Sequence, residues 1–186
     1  MSEKRVPQVR LPLIMLVLFW EVIHLGWEQF HGGVRSHHFL AMEEMPAISN
    51  WWGMLLLPAL AWFVAGRIQR RMDNASEGKD AKSTLPTSII VGFIIPLIFG
   101  LLLSFFFTNG YDDITSYLFF GMFALALLLP IHRGECLLGF VLGMTFTFGA
   151  VLPMLIGSIL AALSALVHLL VVPSLVRFWK WLRRGS

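Results

Sequence analysis

Charge and cysteine are both scarce in this chain. Only 13% of its 186 residues are Asp, Glu, Lys or Arg, and Cys136 is the single cysteine. One cysteine excludes an internal disulfide and any zinc site built on thiolates. The sequence has no His-Glu-x-x-His pair, no Gly-x-Ser-x-Gly turn and no phosphate-binding loop. Their absence removes the commonest metalloprotease, esterase and nucleotide-binding chemistries. No internal repeat is visible, which argues against the inverted-repeat plan of many transporters.

What fills the chain instead is apolar. Hydrophobic residues make up 57% of it and come in long uninterrupted blocks. A soluble domain of this size has no interior large enough to hide them. Blocks of about twenty residues match the thickness of a bilayer. The net charge of +3 does not point to nucleic acid. Its basic residues stand at the ends of the apolar blocks, where they set orientation and meet lipid headgroups. The expected partner is the lipid bilayer, with no nucleic acid.

The fold expected is all-α, a polytopic membrane bundle of about six helices forming one domain, 1–186. The spans fall at about 11–31, 51–67, 88–107, 114–131, 135–155 and 157–179, with 68–87 a polar cytosolic linker. Gly32-Gly33 stop the first helix, and Trp51-Trp52 anchor the second at the interface. Asn109-Gly110 mark a turn. The stretch 135–179 is too long for one crossing and is divided here at Pro153 and Gly157. Lys4, Arg5 and Arg10 before an apolar run look like the start of a signal peptide. Glu21, His24 and Glu28 stand where a small-residue cleavage site belongs, so an uncleaved first span is expected.

Positive charge tests the count. Six spans with an internal N-terminus put Lys4, Arg5, Arg10, Arg67, Arg70, Arg71, Lys79, Lys82, Arg133, Arg177, Lys180, Arg183 and Arg184 on the cytosolic side. Of the 14 basic residues only Arg35 is left outside, as the positive-inside rule requires. The expected location is the bacterial inner membrane with both termini cytosolic. Gly139 and Gly143 form a Gly-x-x-x-Gly pair that lets helix backbones approach closely, within the monomer or between copies in a homo-oligomer.

The chemistry-bearing residues concentrate on the first helix. Glu21, His24, Glu28 and His31 fall within about 80° of one another on the helical wheel. Each ionisable group in lipid costs at least about 2.5 kcal/mol by insertion scales, so this stripe is expected to face the bundle interior. Glu21-x-x-His24 and Glu28-x-x-His31 are the pairs that supply ligands in carboxylate-bridged di-iron bundles. There, however, they come from two helices, with further glutamates that are missing here. A mononuclear transition-metal site (zinc, copper or iron) needs only three or four such ligands. His24, His31, His37, His38 and Glu28 are the candidate ligands, with Glu28 or Glu21 as general base. Asn50, Asp112, Asp113 and His168 are expected around the same outward-facing cavity.

The segment His31 to His38, ending in His-His, is similar to one histidine box of the membrane desaturases and hydroxylases, a resemblance that fails on the number of boxes. Those enzymes need several boxes, and this chain has one. Three functions follow from the stripe. The first is a metal-dependent membrane hydrolase or oxidoreductase acting on a lipid or other lipophilic substrate. The second is a proton- or cation-coupled transporter or channel using Glu21 and His24. The third is a non-catalytic membrane subunit or assembly factor.

Overall fold

A computed structural model of the chain describes residues 8–38, 47–76 and 85–184. Lys4, Arg5, Lys79 and Lys82, which carry part of the charge argument, lie outside the described residues, and so do the side chains of His37 and His38.

The described residues are helical apart from one small pair of strands and short turns. α1 spans Arg10–Phe30, α2 Gly53–Ser76, α3 Leu85–Thr108, α4 Asp112–Leu128, α5 Gly134–Phe148 and α6 Val151–Ala165. A π-helical turn, Leu166–Val171, joins α6 to α7, Val172–Arg184, without a break. Between α1 and α2, strands β1 (Ser36–His38) and β2 (Ala47–Ser49) pair antiparallel, with His37 opposite Ile48. One 3₁₀ turn, Asn50–Trp52, then opens α2.

Among the described residues, four helices are long and apolar enough to cross a membrane: Arg10–Phe30, Asn50–Ala75, Leu85–Thr108 and Val151–Arg183. α4 and α5, with 17 and 15 residues, are about 25 and 23 Å long, short of the roughly 30 Å of a hydrocarbon core. The exterior is apolar almost everywhere. Phe19, Trp27, Trp62, Ile95, Phe105, Phe120 and Ile159 are among many large side chains that point outward.

The two Gly-rich ends of α1 and α5 show why the chain turns where it does. Gly32 and Gly33 have φ of 116° and 95°, a region other residues rarely adopt, and they stop α1. The break between α5 and α6 corrects the division expected at Pro153 and Gly157. It falls at Gly149, with φ 68°. Pro153 sits instead in the first turn of α6, where its missing N–H has no partner to lose. α2 also runs past Arg67 to Ser76. The stretch after Arg67 has no glycine or proline until Gly78, and Gln69 donates to Asp73 one turn on at 3.1 Å.

α5 is short but central. One face packs with Val17 of α1 and Leu57, Ala61 and Val64 of α2 through Leu138 and Val141. The other meets Leu103, Met122, Ala126 and Leu160 through Phe140 and Met144. Gly139 and Gly143 lie buried against α3. A Cβ at Gly139 would overlap the Phe93 carbonyl oxygen, and one at Gly143 the Leu97 carbonyl oxygen. The Gly-x-x-x-Gly seam is thus occupied by α3 of the same chain.

Candidate functional site

α1 is amphipathic with its polarity inverted. Phe19, Trp20, Val22, Ile23 and Trp27 point outward, while Glu21, His24 and Glu28 are 0%, 3% and 6% exposed. In water such a helix would be inside out. Facing lipid, the ionisable side chains gain by turning to the protein.

The three form a line along the helix. Each ring nitrogen of His24 faces a different carboxylate. Nδ1 lies 3.5 Å from Glu21 Oε2, and Nε2 lies 3.7 Å from Glu28 Oε1. These separations exceed hydrogen-bond length. Both His24 nitrogens and both Glu21 oxygens are buried without a hydrogen-bond partner. The Phe146 ring closes one side, tilted 51° at 5.5 Å from the imidazole.

The two carboxylates are held differently. Glu28 accepts from Asn50 Nδ2 at 2.7 Å and from the Arg35 backbone N–H at 3.3 Å. The Asn50 N–H donates in turn to the Arg35 carbonyl at 3.0 Å. Glu28 therefore clamps the base of the hairpin to the end of α1. Glu21, a further two turns back along the helix, sits against Gly53, and any Cβ at position 53 would overlap its Oε1. Gly53 opens α2, so the positive end of that helix dipole stands beside Glu21. No Lys or Arg side chain pairs with either glutamate among the described residues.

Of the residues expected here, Glu21, His24, Glu28 and Asn50 come together. His31 does not. α1 ends one residue before it, and its ring stacks on Trp27 at 3.8 Å on the exposed side while Nδ1–H donates to the Trp27 carbonyl. Asp112 and Asp113 occupy the exposed first turn of α4. His168 lies in the π-helical turn, donating to the Ser164 carbonyl at 3.0 Å, with its ring 6.3 Å from that of His132. The backbone of His37 and His38 forms β1, directly after the Arg35 contact to Glu28. Gly53, Phe146 and the Arg35 amide had no signal in the sequence, because each enters through backbone position or an apolar ring.

Among the described residues, Glu21, His24 and Glu28 do not converge on one metal ion. Ligands must converge on a common point about 2 Å from each donor atom. Here the single imidazole directs opposite nitrogens at the two carboxylates, so no point serves all three. No group of three or more His, Cys, Asp or Glu that could hold an ion occurs among the described residues. An apolar cavity of about 110 Å³ lies elsewhere, lined by Pro96, Phe99, Met122, Phe140, Gly157 and Leu160. The chain matches no protein family model, no curated protein and no solved structure.

A second polar cluster sits toward the opposite end of α2. Glu135, 2% exposed at the start of α5, receives a 2.5 Å hydrogen bond from Arg71 rather than from the adjacent Arg133. In the turn before α5, burial is the main cause that holds the His132 imidazole below its ordinary 6.5. His168, Arg133 and Arg67 add to it, and Glu135 opposes. A histidine with a depressed folded value binds fewer protons folded than unfolded. Its stabilising contribution is therefore complete above pH 6.5 and fades as pH falls toward the folded value. Thermal unfolding in detergent should show wild type losing more stability than His132→Phe between about pH 7 and about pH 5. Equal slopes would remove His132 from the account.

Proposed function

We propose that the chain is a six-span integral membrane protein with both termini cytosolic, and that Glu21, His24 and Glu28 form a proton-carrying seam in its outer half. The function this supports is proton- or cation-coupled transport. The carrying observation is one imidazole set between two carboxylates, with its nitrogens and the Glu21 oxygens buried and unpartnered.

Leaving such groups dry and unpaired costs several kcal/mol each, and a fold has no structural reason to keep Glu21 and His24 in that state side by side. A proton gives the reason. With all three groups deprotonated the seam carries two negative charges, and two protons make it neutral. An imidazole accepts a proton at one nitrogen and gives one up at the other. His24 therefore links Glu28, at the hairpin, to Glu21, about 10 Å deeper along α1. The separations of 3.5 and 3.7 Å close to hydrogen-bond length with small rotamer movements. Glu28, clamped by Asn50 and Arg35, is the fixed end; Glu21, free of donors, is the carboxyl that loads and unloads.

The orientation draws on charge. Arg10 approaches Gly66 and stacks over Trp62, Arg71 reaches Glu135, and Arg67 and Arg133 act on His132. Arg35 lies at the Glu28 end. This is the segregation expected of an N-in, C-in bundle. α4 and α5 complete six crossings as short helices under longer neighbours, where the bilayer thins or the protein covers their ends.

Infrared difference spectroscopy on the reconstituted protein tests the seam. The protonated-carboxyl C=O band should respond to acidification in wild type, and that response should vanish from the difference spectrum in Glu21→Gln. His24→Gln should slow proton flux into liposomes at least about tenfold, a barrier rise near 1.4 kcal/mol. A pH-insensitive band together with unchanged flux in both variants would reduce the seam to polar packing.

A further inference from the structure

The last helix is too long for the bilayer that the rest of the bundle suits. Val151–Arg183 is 33 continuous helical residues, about 50 Å against a hydrocarbon core of roughly 30 Å. The excess, about 13 residues at 1.5 Å each, corresponds to α7.

α7 differs in kind from α6. Leu175, Phe178, Trp179, Trp181 and Leu182 lie on one side of the helical wheel, and Arg177, Lys180 and Arg183 on an arc of about 120° opposite. It has much the strongest segregation of polar from apolar residues of any helix in the chain. Leu175, Phe178, Trp179, Trp181 and Leu182 are all exposed, and Arg183 lies over the Trp179 ring at 5.2 Å. Standing straight up from the membrane, α7 would hold two tryptophans, a phenylalanine and two leucines in water. Lying flat, the same helix buries them at the acyl boundary and leaves its cations at the headgroups.

The hinge for that movement is present. The π-helical turn Leu166–Val171 and Pro173 follow one another at the base of α7. Proline and π-turns are both recognised sites of sharp helix bends, since each disrupts the regular i to i−4 ladder.

We propose that α7 is an interfacial helix that docks on the anionic lipid surface of the protein's own membrane, swinging about residues 166–173. The occupant is fixed by charge complementarity: three cations along one face and aromatic residues on the other match a bilayer surface carrying anionic headgroups. The inference rests on the membrane reading but not on the proton seam.

The test uses the full chain in nanodiscs, with an environment-sensitive dye on Leu182→Cys or on Lys180→Cys. Wild type, whose Cys136 is buried, sets the labelling background. In nanodiscs containing phosphatidylglycerol, the Leu182 dye should be blue-shifted and quenched by nitroxide lipids, and the Lys180 dye should be quenched by aqueous iodide. Each cation favours the docked state by about fivefold. Arg177→Gln, Lys180→Gln and Arg183→Gln together should thus lower the docked-to-free ratio on the order of a hundredfold, and high salt should act in the same direction. Equal water exposure of both dyes would overturn the proposal. So would protection that grows with protein concentration in detergent, because a second copy would then be the cover. Loss of the protein from nanodiscs altogether would indict the membrane reading instead.

Discussion

Replacing Gly139 with leucine should separate α5 from α3 and cost the protein on the order of 3 kcal/mol or more. The site has no flexible neighbour to yield. A Cβ there would overlap the Phe93 carbonyl oxygen and reach 3.3 Å from the Leu97 amide nitrogen, both backbone. Because α5 carries both halves of the core, an outward shift of α3 would open each of them. The variant should lose most of its monodisperse fraction on size exclusion in mild detergent and unfold at markedly lower temperature. Gly26→Ala and Gly121→Ala supply the contrast. An added Cβ at either meets nothing within 4 Å, and each should change stability by less than about 1 kcal/mol. If Gly139→Leu proves as benign as these two, the α3–α5 seam is not as close as described.

The second large effect concerns Glu135. With its side chain 2% exposed and the Arg71 guanidinium as its ion-pair partner, Arg71→Ala leaves a buried carboxylate without a counter-charge. Removing one member of a buried pair costs about 3 kcal/mol or more. Arg71 is itself 32% exposed, so water entering from its side should hold the loss toward that lower value. The double variant Arg71→Met with Glu135→Leu should regain most of the stability, since two apolar side chains of similar volume carry no desolvation penalty. Chemical unfolding of the three variants in detergent measures both numbers. A double variant no better than Arg71→Ala would show that the pair contributes through packing of α2 on α5, not through charge.

These two predictions mark where sequence reading ran out. In the sequence the cation nearest Glu135 is Arg133, two positions before it. The partner is Arg71, sixty-four positions away, because α2 packs along α5 and brings its last turns to that spot. Gly139 and Gly143 were legible as a close-packing pair, but four-residue spacing does not say whether the facing backbone belongs to the same chain.

The candidate site divides in the same way. Helical geometry alone put Glu21, His24 and Glu28 on one face, and the cost of charge in lipid turned that face inward. The same geometry also included His31, one residue too many. The glycines that stop α1 leave His31 at the C-cap, where φ and ψ are no longer helical and the ring turns onto Trp27. Asn50 was anticipated near the cavity and meets Glu28. Gly53 and Phe146 could not be anticipated, since one contributes only the lack of a side chain and the other only an apolar surface.

By itself the sequence determined that the chain is built of apolar helices and that Glu21, His24 and Glu28 share one buried face. Each depends on residues within a few turns of one another, where periodicity and the energetics of lipid suffice. Tertiary structure decided which walls those groups meet: two carboxylates on opposite nitrogens of one ring, with Gly53 and Phe146 beside them. That outcome depends on how α1, the start of α2 and the end of α5 are juxtaposed. Packing of distant segments fixes such an arrangement, and no local spacing encodes it.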